Sequence, residues 1–556
     1  MTAAGTSLST PPDSTGAIGP NHYVEMVNSS IAVYDRSLTL LATTTLQTFI
    51  NQAPGVALCD PQVQWDESAQ RWLFAFPYCN IASTVQRLFV GWSMGTSPLP
   101  LSNLGWCQFA ITNDPYLMDY PKLGHNSKYL IVGGNLYNEN PPTPNPPFAG
   151  AGILWVQKPA NGVTACATPP PPGGTTLPLK NGDGVTLTFT PVPVNTDSNA
   201  SDGYIVSAYD PAGNAGPPGL KSKVAVWHLD SAGVLRADND VAVNTYNMPP
   251  SAPQLGSTFV LDTLDGRLTQ AVGDPVSGFY TQHTVAGPTG RSEVHWYQFV
   301  VSGPSVVLAQ QGSISSPTDW IFNGAISPRW DAQGAAIIYN RSSPSIYPVI
   351  AARIRYAATS PGTWAAGELV LASSTAPDTD RSCNSPPGSP CRWGDYAAAS
   401  PDPVQTNLVW GTSEFNTASG SNPAWSDQIF AIAPTPEAPV NVVATALRSN
   451  AATVSWTPGA ADPALPPVTY TVTAYLGSVA MGTMTTAGAG TTLTFTGLTA
   501  GATYTFTVIA NTAPGPGLES ARSNAVAIGT LQSSPVPVPP RDPVNQSSPA
   551  PVPTGR

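Results

Sequence analysis

Residues 391–403 read CRWGDYAAASPDP and are followed by LVWGTSEFN at 408–416. The stretch combines a short cysteine loop, a Trp-Gly-Asp-Tyr turn and two strand patterns. Similar units begin upstream with CDPQVQWDESAQRWLFAF at Cys59, DYPKLGHNSKYLIVGGN at Asp119 and GAISPRWDAQGAAIIYN at Gly324. Each has an Asp or Pro turn, a strand pattern, a polar turn and a second apolar strand pattern. A β-hairpin repeated at a long period is typical of radial or stacked β architectures.

The period of these hairpins indicates the kind of β architecture. Hairpin starts fall near residues 20, 60, 120, 200, 260, 325 and 393. The mean step is roughly 60 residues, which suits a four-stranded propeller blade with generous loops. We therefore predict an all-β chain whose residues 19–434 form a β-propeller of seven blades. Six blades are an alternative if the first hairpin closes the last blade, and tandem β-sandwiches are a second alternative that lacks this long period.

The composition agrees with short strands and excludes several function classes. Charged residues make up only 10% of the chain, and there are 61 Pro and 49 Gly, which disfavour helices. The net charge is −11 without any Lys/Arg cluster, so we expect no nucleic-acid partner. The sequence contains no apolar run of about 18 residues, and we therefore expect no membrane span.

Cysteines bear on the compartment. The six cysteines allow 15 pairings, of which the sequential one is the simplest: Cys59–Cys79, Cys107–Cys166 and Cys383–Cys391. The alternative is six reduced thiols. The first residues lack the charged and apolar regions of a signal peptide, so the chain is either cytosolic or begins after processing. The even count and the low charge favour disulfides and a secreted, extracellular protein.

A different pattern begins near residue 435. About seven alternating strand patterns follow up to residue 531, with Trp456 early and Leu498, Gly501 and Tyr504 in the spacing of a tyrosine corner. Over its full length this segment resembles a fibronectin type III domain, which implies a β-sandwich at 435–531. We predict a flexible leader at 1–18 and a disordered Pro/Ser-rich tail at 532–556.

The front part also resembles a known group. PPDSTGAIGPNHYVEMVNSSIAVYD, DPQVQWDESAQRW, DYPKLG and RWGDYAAASPDP are similar to hairpin motifs of secreted bacterial propeller-like proteins, a sialidase-like and largely uncharacterised group. The resemblance implies a propeller fold and secretion. It implies little about chemistry, because most members of that group have no assigned activity.

Propeller ligands bind where the innermost strands meet at one mouth of the central channel. If the hairpin motifs are equivalent, their leading residues converge there. The residues expected to converge are Asp60, Asp119, Asp274, Arg329, Arg392 and Asp395, with Lys122, His125 and Tyr396 nearby. Such a set suits a sugar or a cation, and Trp393 is a further ligand candidate through stacking. The simpler interpretation is that each Asp caps its own turn and that the tryptophans fill gaps between blades.

Catalysis requires more specific groups. A sialidase-type propeller uses an Arg cluster, a Tyr nucleophile with a Glu partner and an Asp acid/base, and residue types for these roles are present at Arg329, Arg392, Tyr396, Glu414 and Asp60. No S-x-D-x-G-x-x-W Asp box occurs, and WDAQG from Trp330 misses the spacing by one residue. Glycoside hydrolysis in general needs two carboxyl groups about 5–9 Å apart. Asp119 and Asp395, with Tyr396, are the catalytic candidates.

Metal and cofactor motifs are weak. The five histidines form no H-E-x-x-H motif, and no P-loop or nucleophile elbow occurs. DSNASDG at 197–203 resembles a calcium loop with one residue too many and no closing Glu, and its simpler interpretation is a polar turn. We predict no metal or cofactor, with calcium as the one ion left open.

Two functions compete. In the first, a monomeric secreted propeller is a non-catalytic platform that binds an extracellular polysaccharide or a cell-surface glycan or protein, with the type III domain as a spacer. In the second, the chain is a secreted glycoside hydrolase or lyase that acts through carboxylates in the funnel. The lack of a specific catalytic motif favours the first, and the sequence leaves the question of an enzyme open.

Overall fold

The computed structural model describes residues 9–529 apart from 54–55, 80–81, 161, 168–170, 176–177, 197–201, 277, 304, 358, 366, 421, 435, 449, 460, 462–465 and 513–514. The chain forms two compact units that separate between Glu437 and Ala438. The predicted tail at 532–556 lies outside the described residues.

The first unit is built from seven antiparallel sheets within the described residues, and they follow one another along the chain. The strands of the first four sheets are β1 (Thr15–Ile18), β2 (His22–Val27), β3 (Ser30–Asp35), β4 (Leu40–Thr45); β5 (Gln62–Asp66), β6 (Arg71–Pro77), β7 (Arg87–Ser93), β8 (Trp106–Thr112); β9 (Tyr116–His125), β10 (Tyr129–Asn138), β11 (Phe148–Gln157), β12 (Gly173–Gly174); and β13 (Val192–Pro193), β14 (Gly203–Ala208), β15 (Lys221–Leu229), β16 (Leu235–Ala237), β17 (Val241–Tyr246). One helical turn, α1 (Leu46–Phe49), follows β4.

The last three sheets of this unit complete the series. Their strands are β18 (Gln270–Gly273), β19 (Phe279–Ala286), β20 (Ser292–Ser302), β21 (Ser305–Ile314); β22 (Trp320–Pro328), β23 (Gly334–Ser343), β24 (Ile346–Tyr356), β25 (Leu369–Ser373); and β26 (Ala398–Pro401), β27 (Val409–Asn416), β28 (Trp425–Ile432). Each sheet is a meander of strands in chain order, except that β17 in the fourth sheet pairs with β15.

The sheets close into a ring. The innermost strands β1, β5, β9, β13, β18, β22 and β26 each contact the next one, and β26 contacts β1. Apolar clusters fill the spaces between neighbouring sheets, as where Val24 and Trp72 meet between the first two. Tyr23 and Trp410, with ring centroids 5.8 Å apart, pack the first sheet against the seventh. This arrangement confirms the predicted β-propeller.

A repeated backbone turn leads into the innermost strands. In five sheets, a residue with positive φ stands two positions before a run of regular pairing. Asp13 (53°), Asp60 (52°) and Thr190 (55°) precede β1, β5 and β13, whereas Tyr120 (55°) and Asn323 (47°) lie at irregularities within β9 and β22. Asp and Asn tolerate this left-handed conformation better than most residues. The turn repeats at the same end of the innermost strands, so the side chains that precede those strands gather at one mouth of the channel.

The N-terminal boundary differs from the prediction of a flexible leader over 1–18. Residues 15–18 are buried and form β1, which pairs with β2 and contacts β26. The Pro- and Gly-rich composition suggested flexibility, but burial between two sheets fixes this segment.

The second unit is a β-sandwich. One sheet contains β29 (Val440–Arg448), β30 (Ala451–Thr457) and β33 (Thr492–Thr496), and the other contains β31 (Thr469–Leu476), β32 (Val479–Thr485), β34 (Thr503–Thr512), β35 (Gly515–Glu519) and β36 (Val526–Ala527). Trp456 is buried in the core with Tyr470 and Phe506. The Tyr504 hydroxyl accepts a hydrogen bond from the Thr499 backbone N–H at 3.2 Å, as expected for a tyrosine corner.

All three sequential disulfides are present: Cys59–Cys79, Cys107–Cys166 and Cys383–Cys391. The predicted pairing is therefore confirmed. Among the described residues, no helix is long and apolar enough to cross a bilayer.

Candidate functional site

Charged and aromatic side chains collect where the innermost strands begin. We call this set the mouth cluster. It contains six carboxyl groups, three cations and two tyrosines: Asp13, Asp60, Asp119, Asp262, Asp265, Asp395, Lys122, Arg267, Arg392, Tyr120 and Tyr396.

Hydrogen bonds tie the first, second and seventh sheets together beneath the cluster. Asn28 donates from Nδ2 to Asp13 Oδ2 at 2.6 Å, and its Oδ1 accepts from the Asp60 backbone N–H at 2.8 Å. Asp13 Oδ1 accepts from the Asp395 backbone N–H at 3.0 Å. The left-handed turn thus places the Asp13 carboxylate and the Asp60 backbone N–H on fixed partners.

The two tyrosines form the floor of the cluster. The rings of Tyr120 and Tyr396 stack with centroids 4.7 Å apart. The Tyr396 hydroxyl donates to Asp60 Oδ2 at 3.0 Å, and the Tyr120 hydroxyl donates to the Asp395 carbonyl oxygen at 2.7 Å. Lys122 Nζ lies 3.9 Å and 3.8 Å from the Tyr120 and Tyr396 ring centroids. Burial, helped by the charge of Arg267, holds the pKa of Lys122 well below its usual range.

The two arginines occupy different positions. Arg392 is 45% exposed, forms an ion pair with Asp395 and places Nε 3.8 Å from Asp262 Oδ2. Arg267 is partly buried, donates from Nε to Asp265 Oδ1 at 2.7 Å and packs its guanidinium 4.5 Å from the Tyr120 ring centroid. Burial opposes ionisation of Asp265, but the charge of Arg267 prevails and lowers its pKa.

Four other carboxyl groups of the cluster, those of Asp13, Asp60, Asp119 and Asp262, have raised pKa values. Burial, followed by the charges of Asp119 and Asp395, raises the pKa of Asp60 to about 7. Burial likewise raises the pKa of Asp119, whose carboxylate also lies near Arg267 and Arg392, and it raises the pKa of Asp13 well above the usual range. Near neutral pH the cluster can therefore offer protonated and ionised carboxyl groups together with an exposed guanidinium, which suits a ligand that both donates and accepts hydrogen bonds.

The channel behind the cluster is narrow. A cavity of about 30 Å³ lies between the innermost strands, lined by residues that include Gln62, Lys122, Asn195 and Tyr396. Gln270 of the fifth sheet donates from Nε2 to the Ala399 carbonyl oxygen of the seventh at 2.7 Å, so side chains cross the channel. This space fits one or two water molecules. The space is too small for a sugar ring.

Six of the nine residues expected to converge lie in the mouth cluster: Asp60, Asp119, Lys122, Arg392, Asp395 and Tyr396. The expectation was wrong for His125, Asp274 and Arg329. His125 ends β9, Asp274 follows β18 and Arg329 follows β22, so all three stand at the opposite ends of the innermost strands.

Local partners account for these three residues and for Trp393. Buried His125 lies 3.7 Å from Asp66, Asp274 accepts from the Val276 backbone N–H in its own turn at 2.8 Å, and Arg329 pairs with Asp331. Trp393 is buried, contacts the Phe322 ring and donates from Nε1 to Asn340 at 3.3 Å. The packing interpretation therefore describes Trp393.

Sequence reasoning missed five members of the cluster: Asp13, Tyr120, Asp262, Asp265 and Arg267. Asp13 could have been found, because DSTGAI repeats the Asp position of DPQVQW two residues before its strand. Asp262, Asp265 and Arg267 follow no repeated motif. They reach the mouth because residue 261 bridges to Cys391, where the Asp262 backbone N–H donates to the Cys391 carbonyl oxygen at 2.9 Å.

One group of potential metal-binding side chains converges in the described part of the chain. Among the described residues, Asp378, Cys383 and Cys391 are the only His, Cys, Asp or Glu group whose ligand atoms converge, and both sulfurs belong to a disulfide. A disulfide sulfur cannot supply the thiolate that a metal needs. The DSNASDG segment lies mostly outside the described residues, and calcium stays a prediction.

Comparisons with known proteins identify one of the two units. The family model of the fibronectin type III domain matches residues 437–526. The FN5 domain of Drosophila Lar is 25% identical over 17% of this chain and 99% of its own, with a TM-score of 0.15. A chain of titin kinase and its flanking domains is 22% identical, with a TM-score of 0.15. The match covers 17% of the present chain and 17% of the titin chain.

A match that covers more of the chain has a lower sequence identity. An ACO/RPE65 chimera is 11% identical over 64% of this chain and 71% of its own, with a TM-score of 0.38. The comparison with curated protein sequences gives no match. The β-propeller is therefore recognised by its own ring of sheets. The family match shows that the chain carries a fibronectin type III domain at residues 437–526.

Proposed function

We propose that the propeller is a secreted platform that binds an extracellular glycan at the mouth cluster, with the type III domain as a spacer. The observation that carries this proposal is the combination of partly exposed donors and acceptors at the mouth with a channel too small for a sugar. Arg392 and Asp262 face solvent in part, with side chains 45% and 27% exposed. They can recognise hydroxyl groups without burying the ligand deeply.

The cluster is preorganised for recognition. The Asp60 carboxylate accepts from the Tyr396 hydroxyl and the Tyr120 backbone N–H, and the Asp395 carboxylate accepts from Arg392, so binding requires little further ordering of these side chains. The Asp119 carboxylate accepts no hydrogen bond from the described residues and lies near both arginines, which leaves it available to a ligand hydroxyl.

Secretion is part of the proposal. Three disulfides pair all six cysteines, as expected for a protein that folds in an oxidising compartment. Neither the glycan nor the compartment follows from the fold alone.

Glycan-array binding of the full chain tests the platform. We expect binding to a defined glycan that falls at least tenfold in Arg392→Ala and in Asp119→Asn. The matched control is Arg87→Ala, which removes an exposed arginine paired with Asp114 on the second sheet. Binding that is unchanged in both mouth variants would place the ligand elsewhere, and capture of proteins but no glycan would reassign the partner class.

A second candidate is a glycoside hydrolase or lyase, and one observation favours it. Asp60, with its pKa raised to about 7, lies within the field of Asp119 and Asp395, as a general acid near a second carboxylate would. A reducing-sugar release assay distinguishes the two functions. Release that disappears in Asp119→Asn and Asp395→Asn supports an enzyme with these catalytic groups, whereas release that survives both substitutions rejects the site.

A further inference from the structure

Three carboxyl groups are buried where the ring closes. Glu25 lies on β2 of the first sheet, while Glu414 and Asp427 are cross-strand partners on β27 and β28 of the seventh. Each of the three residues is 2% exposed. None of the three is a member of the mouth cluster or has a part in the proposed function, although Glu414 accepts from the backbone N–H of Gly394, between Arg392 and Asp395.

The partners of these carboxyl groups are neutral. Glu25 accepts from the Thr412 hydroxyl at 2.9 Å and from the Tyr34 hydroxyl at 3.3 Å. Asp427 Oδ1 accepts from the Ser14 hydroxyl at 2.5 Å, and the Glu414 carboxylate accepts from the Gly394 backbone N–H. These bonds join the first sheet, the segment before β1 and the seventh sheet.

Among the described residues, no cationic side chain compensates the three groups. The charge of the chain's amino group lowers the pKa of Glu25 and Asp427, but burial outweighs it. The titratable groups that face them are Tyr23 and Tyr34 on the first sheet, Asp13 before β1 and Asp378 before β26. The ion pair at this interface, Arg36 with Asp402, is already internally balanced. Asp427 Oδ2 and the Tyr23 hydroxyl are buried and find no hydrogen-bond partner among the described residues.

Ionisation is therefore unfavourable in the closed ring. Burial, with repulsion from Asp427, raises the pKa of Glu25 to about 8, and burial raises the pKa of Asp427 to about 7. Burial also raises the pKa of Glu414 well above its usual range. A carboxyl group whose pKa is raised in the closed state stabilises closure at low pH, and this contribution is lost as the pH rises toward the raised value.

We propose that Glu25, Glu414 and Asp427 form a pH-sensitive latch that holds the first and seventh sheets together when protonated and loosens when they ionise. Loosening is expected first where the ring closes, because Glu25 accepts from Thr412 and Asp427 accepts from Ser14 across this junction. Hydrophobic contacts such as Tyr23 with Trp410 keep the sheets in place at low pH.

Hydrogen exchange of the full chain tests the latch. Protection factors of segments 15–35 and 398–432 are followed between about pH 5 and 8, with sheets three and four as the internal reference. For each proton that the closed ring holds and the open ring releases, the closing equilibrium weakens about tenfold per pH unit. We therefore expect protection of the closing segments to fall with pH while the reference segments keep theirs.

Neutral isosteres provide the decisive comparison. The double variant Glu25→Gln with Asp427→Asn is expected to lose most of the pH dependence, whereas Asp35→Asn, which alters an exposed carboxylate on the first sheet, keeps it. Each single variant, used if the double variant does not fold, should remove part of the slope. A wild-type protection factor that is independent of pH, or an unchanged slope in the substituted proteins, overturns the proposal.

Discussion

The mouth cluster and the core of the type III sandwich solve the problem of burial in opposite ways. The sandwich core is built on apolar and aromatic side chains such as Trp456, Val472 and Phe506, and the buried polar residues described in this unit are uncharged Thr and Ser. The mouth cluster holds six carboxyl groups and three cations against two tyrosine rings. Both regions are ordered by β-strands, so the difference lies in the side chains that those strands present.

The difference between the two regions indicates which one serves stability and which one serves function. Removing charges from water costs free energy that ion pairs recover only in part, and apolar packing of the same volume is often as stable. The sandwich core avoids this free-energy cost by apolar packing. The propeller keeps charges at the mouth although burial shifts the pKa of Asp60 and Lys122 toward their neutral forms. Perturbed groups that gather at an opening are typical of sites that act on a ligand.

The largest effect is expected in the sandwich. Phe506→Ala removes a buried ring that contacts Phe495 and Tyr504 and should destabilise the second unit by about 3–5 kcal/mol. Chemical denaturation that resolves the two units measures it, with exposed Thr485→Ala as the control. If the comparison is right, glycan binding at the mouth persists in Phe506→Ala. Loss of glycan binding in Phe506→Ala would show that the sandwich contributes to binding and is not only a spacer.

The second effect concerns the loop that supplies the mouth. The Cys383–Cys391 disulfide closes a loop with a sequence separation of 8, directly before Arg392 and Asp395. Loss of the crosslink in Cys383→Ser with Cys391→Ser should cost about 2.5 kcal/mol by chain entropy, measured by thermal unfolding. Glycan binding should weaken as well, whereas removal of Cys107–Cys166, which starts on the outer strand β8, should affect stability alone. Equal binding losses in the two double variants would contradict a local role.

The sequence predicted the repeated hairpins, the ring, the sandwich, all three disulfides and most of the mouth. The prediction succeeded where one local pattern determines the geometry, as at Asp60, which stands just before β5. It failed at His125 and Arg329, because a motif does not reveal which end of a strand carries the side chain toward the ligand. It also missed Arg267, whose position depends on a bridge between residue 261 and Cys391 across two sheets.

The third effect tests the electrostatics of the mouth. Asp119→Asn removes a negative charge that opposes ionisation of Asp60, so the pKa of Asp60 should fall by roughly one pH unit, an interaction free energy of about 1.4 kcal/mol. Because the Asp60 pKa is raised, its contribution to stability is present at low pH and lost as the pH rises toward 7. In Asp119→Asn, the pH at which the stabilising contribution of Asp60 is fully lost should therefore be lower. Carboxyl NMR titration measures it, and Asp35→Asn should leave Asp60 unchanged.

The smallest effect on stability separates binding from folding most cleanly. Arg392 is 45% exposed, so solvent screens its pair with Asp395, and Arg392→Gln should change the free energy of unfolding by at most about 1 kcal/mol. Glycan affinity should nevertheless fall, because Gln cannot present a charged, bidentate donor. Arg392→Lys keeps the charge and should recover only part of the affinity. Full recovery by Lys would mean that charge alone is recognised, whereas a large loss of stability in Arg392→Gln would make the mouth cluster a structural element like the sandwich core.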